Sequence, residues 1–344
     1  MASRPATSPS DPRSYRADAL IDEPPSALLK AEIDALPPDQ RLVNSGDLQV
    51  FWARAAQIHW VLQEIGRLRE LTFRAAGEGT GKCADIDLFD AYYLHMFVWD
   101  AREHVIAGAY RLGLVDEILA RRGKRGLYTY SLFKYRSGLL EAINPAIELG
   151  RSFVRAQYQR SFAALLLLWT GIARFVERRP RYAVLFGAVS ISNDYSPASR
   201  RLIVDHLSAF RTEPRLATQI TPRRPYRDKP RLPAAETGAP PPRDIDDLSR
   251  LIAQIEHDRK GVPVLLRQYL RLGGQLLGFS CDRDFGDTLD GLIMVDLRQI
   301  EPTVLARYMG KPGAAAFRAY HAAGSSPLRP QHPTPPREVA TSHN

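Results

Sequence analysis

The sequence predicts an α+β protein with one mixed central β-sheet flanked by helices, and a C-terminal extension that adds helices and strands. Three observations carry this expectation. Apolar residues alternate in some stretches and recur every three or four residues in others. The strand-like and helix-like stretches follow in the order β-α-β-β-β-α-β-α, a mixed order with a helix between the later strands. Of the 344 residues, 44% are hydrophobic and 25% charged. That is an ordinary globular balance, and it excludes a collagen, a coiled coil and a membrane bundle.

The elements are read in order. Residues 48–53 suggest a short strand. In 55–76, Ile58, Leu62, Ile65, Leu68 and Leu71 fall at spacings of four and three, the stripe of an amphipathic helix. Residues 94–99 and 105–112 read as a hairpin around the charged Asp100-Ala101-Arg102-Glu103 turn. A strand follows at 146–154, then a mainly apolar helix at 163–178, expected to be packed on both sides, then a strand at 183–191 and a helix at 199–210. Beyond these, Asp244, Asp246 and Asp247 suit a helix N-terminus. Residues 263–272 form a second helix, ended by Gly273-Gly274, and 275–279 and 291–295 are strand-like. These last two strands could join the same sheet.

The 26 prolines are clustered: five in residues 1–25, eight in 211–243 and five in 325–344. The expected organisation is therefore a disordered or irregular lead (1–45), a core (46–210), a Pro/Arg-rich linker or excursion (211–243), an extension of the same fold (244–322) and a disordered tail (323–344). The ends of the chain are polar and Pro-rich, with no apolar core of a signal peptide. The longest apolar run, 162–169, is far short of the roughly 20 residues that span a bilayer. With only Cys83 and Cys281 there is no disulfide framework, and a reducing cytosol is the expected home. The formal charge of +9 suits nucleic acid, anionic lipid or an acidic protein equally well. No aromatic-interleaved RNA motif accompanies the basic residues, so no nucleic-acid partner is expected.

Phosphate-loop, dinucleotide, zinc-protease and nucleophile-elbow motifs are missing, and the histidines lack metal-ligand spacing. Three features stand out. Asp85, Asp87 and Asp90 crowd into six residues and must repel one another unless cations or an ammonium lie among them. Glu148-Leu149-Gly150-Arg151 sits inside a strand, where plain alternation puts Glu148 and Gly150 on one face and Arg151 on the other. The internal glycine marks a possible bulge that would re-aim them. Arg111 ends an otherwise apolar strand. Two further fragments, His95 with Asp100 and Glu78-Gly79-Thr80, match pieces of glycerol-phosphate O-acyltransferase motifs, but in the wrong order and on opposite strand faces. They are read as accidental.

Taken in order, the residues resemble a family. The series runs Leu68-Arg69-Glu70-Leu71-Thr72-Phe73-Arg74, Asp85-Ile86-Asp87-Leu88-Phe89-Asp90, His95, Gly108-Ala109-Tyr110-Arg111-Leu112 and Glu148-Leu149-Gly150-Arg151-Ser152-Phe153-Val154. Leu168-Trp169-Thr170-Gly171-Ile172, Leu185-Phe186-Gly187 and Tyr269-Leu270-Arg271-Leu272-Gly273 extend it over about 46–300. It resembles the ornithine–acyl-carrier-protein N-acyltransferases, often labelled hemolysin-like, of the GNAT superfamily, with acyl-homoserine-lactone synthases as distant relatives. Ser280-Cys281 and Ala75-Ala76 depart from the family pattern.

The resemblance implies a sheet splayed open around an acyl-pantetheine arm, and amine attack on its thioester. Glu148 is then expected as the general base, with Asp87, Asp90 and Arg111 as its catalytic partners. Arg74, Asp85, Arg151, Phe153, Arg155 and Arg160 are expected to bind substrate. The loop 155–161 has no glycine, unlike the pyrophosphate loop of acetyl-CoA users. The expected donor is therefore the acyl-phosphopantetheine of acyl carrier protein, an acidic partner for a basic chain, with no other cofactor. The expected product is a lyso-aminolipid, with ornithine or glycine as acceptor. The enzyme would be cytoplasmic, with contact to an anionic inner-membrane face left open by the basic linker. The alternatives are a signal synthase like the homoserine-lactone enzymes and a catalytically silent lipid or carrier-protein binding module.

Overall fold

A computed structural model describes residues 17–227 and 242–324. The expected tail, the start of the lead and the middle of the Pro-rich segment lie outside the described residues. The strands are Arg41–Ser45 (β1), Leu48–Arg54 (β2), Leu94–Asp100 (β3), Val105–Leu114 (β4), Phe133–Tyr135 (β5), Ala146–Val154 (β6), Val184–Ile191 (β7), Ile220–Pro222 (β8), Gln275–Asp282 (β9) and Thr288–Asp296 (β10). Eight of them form one sheet in the order β1-β2-β3-β4-β6-β7-β10-β9, and β5 pairs with β8 apart from it. All neighbours in the large sheet are antiparallel except β6 and β7. This is the mixed α+β sheet expected. The two C-terminal strands complete it beside β7.

The helices are Ser26–Asp34 (α1), His59–Ala75 (α2), Val115–Arg122 (α3), Ser137–Ile143 (α4), Ala163–Arg178 (α5), Pro197–Phe210 (α6), Pro214–Ala217 (α7), Ile245–Ile255 (α8), Val264–Arg271 (α9) and Pro302–Gly324 (α10). They cover both faces. Every residue of β3 is buried because α5 packs on one side and α2 on the other. Leu168, Ile172, Phe175 and Val176 of α5 pack into the larger core, while α10, broken at Gly310 ahead of Pro312, covers the helix from outside. On the opposite face Val61, Ile65 and Leu68 of α2 pack with Phe97 and Phe153. Asp244 accepts hydrogen bonds from Asp246 N (2.9 Å) and Asp247 N (2.8 Å), so it caps α8 as its position suggests.

Two expectations are corrected. The lead is not irregular up to residue 45: α1 buries Leu29 and Ile33 against α2, and β1 extends the sheet. Nor is 211–243 an exposed linker throughout. Residues 214–217 are helical, and Ile220–Pro222 pairs with Phe133–Tyr135, carrying Ile220 into a small second core. Proline density hid both segments, although Leu216 and Ile220 supply the apolar anchors.

Two local features shape the site. Ala109 pairs with Phe153 and Arg111 with Gly150, so Arg151 and Ser152 stand together against Tyr110 in a β-bulge. Arg151 there adopts a left-handed φ of 49°. The second is a fork. β6 and β7 pair only at Ala146–Val184, Ile147–Leu185 and Glu148–Phe186, and then diverge. At the apex, a Cβ on Gly187 would stand 2.1 Å from the Leu149 carbonyl oxygen. Only glycine lets the strands touch there.

Candidate active site

The fork opens into a cavity of ≈ 540 Å³, within the range usual for small-molecule sites. Its walls come from both faces of the sheet. On one side stand Tyr158, Leu165 of α5, and Leu265 and Tyr269 of α9, all of which belong to or border the larger core, with the exposed Val264 beside them. On the other stand Phe73, Glu78, Tyr128, Phe285 and Asp290. Leu149 to Val154 and Ala188 to Ser190 line the gap itself, and strand pairing leaves their gap-facing backbone to whatever fills the cavity. Most of the lining is apolar. The acidic residues at the cavity are Glu78 and Asp290.

The crowded aspartates are neutralised by arginine. Arg69 grips Asp90 with two 2.9 Å hydrogen bonds and bonds the Asp85 carbonyl. Arg111 reaches Asp87 at 2.6 Å and Asp90 at 3.2 Å. Arg151 lies 3.0 Å from Asp85 and 3.7 Å from Asp87, and donates to the Tyr128 hydroxyl at 3.1 Å. Plain alternation turns Arg151 away from this cluster, and the bulge brings it in. The Arg111 guanidinium also lies 5.2 to 5.6 Å from the ring centres of Tyr93, Tyr128 and Phe89. Burial pushes the Asp90 carboxyl up, but Arg69 and Arg111 outweigh it and hold it well below the usual range. Three carboxylates face three guanidinium groups, so no bound cation is needed to hold them. Burial holds His95 neutral, pushed down to about 4, and its Nε2–H donates to the Asp90 carbonyl at 2.9 Å.

Glu148 is 1% exposed and is absent from the cavity lining. Its carboxylate accepts from the Tyr93 hydroxyl, from Tyr128 N at 3.2 Å and from Thr129 N at 2.6 Å, and so pins the turn that carries Tyr128. Burial raises its pKa against those bonds. Asp85, Asp87, Asp90 and Arg111 also stand behind the cavity wall. Arg74 is spent on Glu70 (2.7 Å) and the Asp18 and Lys82 carbonyls. Arg155 lies near Glu23 and Glu64, and Arg160 is exposed beside the cavity. Of the residues expected at the site, Arg151 and Phe153 face the cavity directly.

Sequence reasoning missed Tyr128 and Asp290 and set Glu78 aside. Glu78 follows Gly77 (φ 71°) in a turn tied to the end of β7, where Ser192 Oγ donates to the Ala76 carbonyl at 2.7 Å. Burial and Asp194 raise its pKa to about 7, against Arg151. Asp290 accepts from Ser190 Oγ at 2.7 Å. Burial, Asp282 and Glu78 raise its pKa to about 8. Tyr128 bridges the two sides by donating to Asp282 at 3.0 Å. The signal available for Asp290 was an acidic residue directly before the apolar stretch 291–295, near the start of β10. Among the described residues there is no group of three or more His, Cys, Asp or Glu that could hold a metal, and no helix long and apolar enough to cross a membrane.

A forked mixed sheet with a bulge on one arm and a cavity in the gap defines a GNAT acyltransferase. Residues 68–170 match the acetyltransferase (GNAT) domain family. The chain is 30% identical over 289 residues to a glycine N(alpha)-acyltransferase of Phocaeicola vulgatus, which covers 79% of this chain and 87% of the relative. It is 29% identical over 306 residues to a glycine N(alpha)-acyltransferase of Bacteroides thetaiotaomicron, covering 82% and 87%. The chain belongs to this family of GNAT acyltransferases and is an enzyme.

Proposed function

We propose that the enzyme moves a long-chain acyl group from the phosphopantetheine of acyl carrier protein to the α-amine of an amino acid, giving a lyso-aminolipid. The observation that carries the reading is the cavity: a mostly apolar gap between β6 and β7 with carboxyl groups at one side. The donor arm enters past Tyr158 and Phe162, with its phosphate at the start of α5 beside Arg160. Its thioester lies against the open backbone of β6 near Phe153, which polarises the carbonyl. The amine approaches from the Glu78 and Asp290 side, and Arg151 with Tyr128 holds the acceptor's carboxylate. Glycine is the leading acceptor because both relatives carry that name, and ornithine is the alternative.

The test is direct. Purified protein is incubated with palmitoyl or 3-hydroxypalmitoyl carrier protein, or with the matching CoA thioesters, and a panel containing glycine and ornithine. Mass spectrometry should find N-acyl glycine or N-acyl ornithine formed faster from the carrier protein. Absence of any acylated amine would overturn the reading in favour of a binding module, and faster transfer from CoA would overturn the donor.

A further inference from the structure

We propose that the acceptor ammonium gives its proton to the carboxyl pair Glu78 and Asp290, which reach one side of the cavity from separate elements, and that this pair rather than Glu148 is the base of the reaction. The inference rests on the amine-acylation reading above. Its first support is geometric: Glu78 and Asp290 line the cavity and Glu148 does not. The second is partnership. Asp85, Asp87 and Asp90 are each held by arginine, and Glu148 is held by two amides and a phenol. Glu78 makes no hydrogen bond or ion pair among the described residues, and Asp290 takes its bond from a neutral serine hydroxyl. The third is placement. The turn before Glu78 is locked to β7 through Ser192, and Gly286 packs against the Gly77 carbonyl, so the carboxyl is held at the mouth of the fork.

The charges around the pair set its behaviour. Glu78 feels Asp194 from the loop after β7, Arg151 from β6 and Asp290 from β10. Asp290 feels Asp282 from β9, Glu78 and Arg151, and in turn acts on Tyr128 and Cys281. A buried carboxyl, Asp290, and a half-buried one, Glu78, repel each other, hold a proton up to neutral pH and titrate as a pair. A base poised near 7 is the best matched to take a proton from an ammonium. The balance is simple. The ammonium loses one proton to the pair, and the free amine attacks the thioester carbon. The C–N bond forms as the C–S bond breaks, and the second proton passes from nitrogen to the departing thiolate. The pair then releases its proton to water.

Glu78→Gln and Asp290→Asn test this with acyl carrier protein and glycine, in kcat and KM measured from about pH 6 to about pH 9. Each should lower kcat by roughly 10²- to 10³-fold at neutral pH with the KM for carrier protein unchanged. Wild-type kcat should rise with pH through a step between about 7 and about 8. The variants should lose that step and recover with pH only as the free amine becomes neutral. A second readout excludes a purely structural role. Both carboxyls bind protons more tightly folded than unfolded, so wild-type stability should fall as pH rises from the ordinary carboxylate range to about 8. Thermal melts of the variants should show less of that fall. A wild type that acylates glycine while either variant keeps its kcat and pH step overturns the pair and leaves the function standing. A wild type that acylates no amine overturns the function itself.

Discussion

At the scale of single residues, the most crowded charges of this protein lie off the cavity lining and pair with one another. Asp85, Asp87 and Asp90 were legible as unusual, and their partners Arg69, Arg111 and Arg151 were legible in the series around them. What the sequence did not disclose was that they satisfy one another behind the cavity wall. Asp90→Asn should therefore destabilise the fold by about 3–5 kcal/mol, because it leaves Arg69 and Arg111 buried without their shared carboxylate. The Asp90 carboxyl is held low, so its contribution is complete above the unfolded pKa and is lost as pH falls through the folded one. In urea titrations the deficit of the variant should shrink on acidification. Glu148→Gln should also act on stability. The amide nitrogen would face a donor, Thr129 N or Tyr128 N, where a carboxylate oxygen now accepts. A buried donor left unmatched costs about 1–3 kcal/mol, to be read as a lower melting temperature. Unchanged melting with lost turnover would return Glu148 to the mechanism.

At the scale of elements, strands and helices with clean periodicity were readable to within a few residues, as in 146–154 and 163–178. Segments whose order comes from tertiary partners were not. Residues 220–222 form a strand only because Phe133–Tyr135 offers an edge, and the short β1 needs β2 beside it. The bulge was foreshadowed by Gly150, but its consequence, the turning of Arg151 toward Asp85, depends on how many residues stand opposite Tyr110. The fork depends on close backbone approach. Gly187→Ala places a methyl against the Leu149 carbonyl, so the strands must part at the apex and widen the cavity. We expect a loss of 1–3 kcal/mol typical of overpacking. At temperatures where the variant stays folded, KM for the acyl donor should rise more than kcat falls. An unchanged donor KM would mean that the apex does not set the width of the gap.

At the scale of the whole molecule, the mixed sheet was legible from element order, and the joining of β10 to β7 and of β9 to β10 was open until the structure showed it. Net charge gives a kinetic expectation. With the acidic carrier protein proposed as donor, a chain of +9 would gain encounter rate from long-range attraction, which salt screens over a Debye length of about 8–10 Å. Raising ionic strength from about 0.05 M to about 0.3 M should raise KM for acyl carrier protein several-fold while leaving KM for a short acyl-pantetheine unchanged. Equal responses would place the salt effect in the cavity and not in docking. The fork has one more consequence, for inheritance. The segment shared with the wider domain family, 68–170, contains Glu78 and the bulged arm but stops before β7 and β10. It encodes only half of the vessel. Two relatives could agree throughout that segment and still differ in the facing half, because β7 starts only at residue 184 and Asp290 stands 120 residues past the end of the segment.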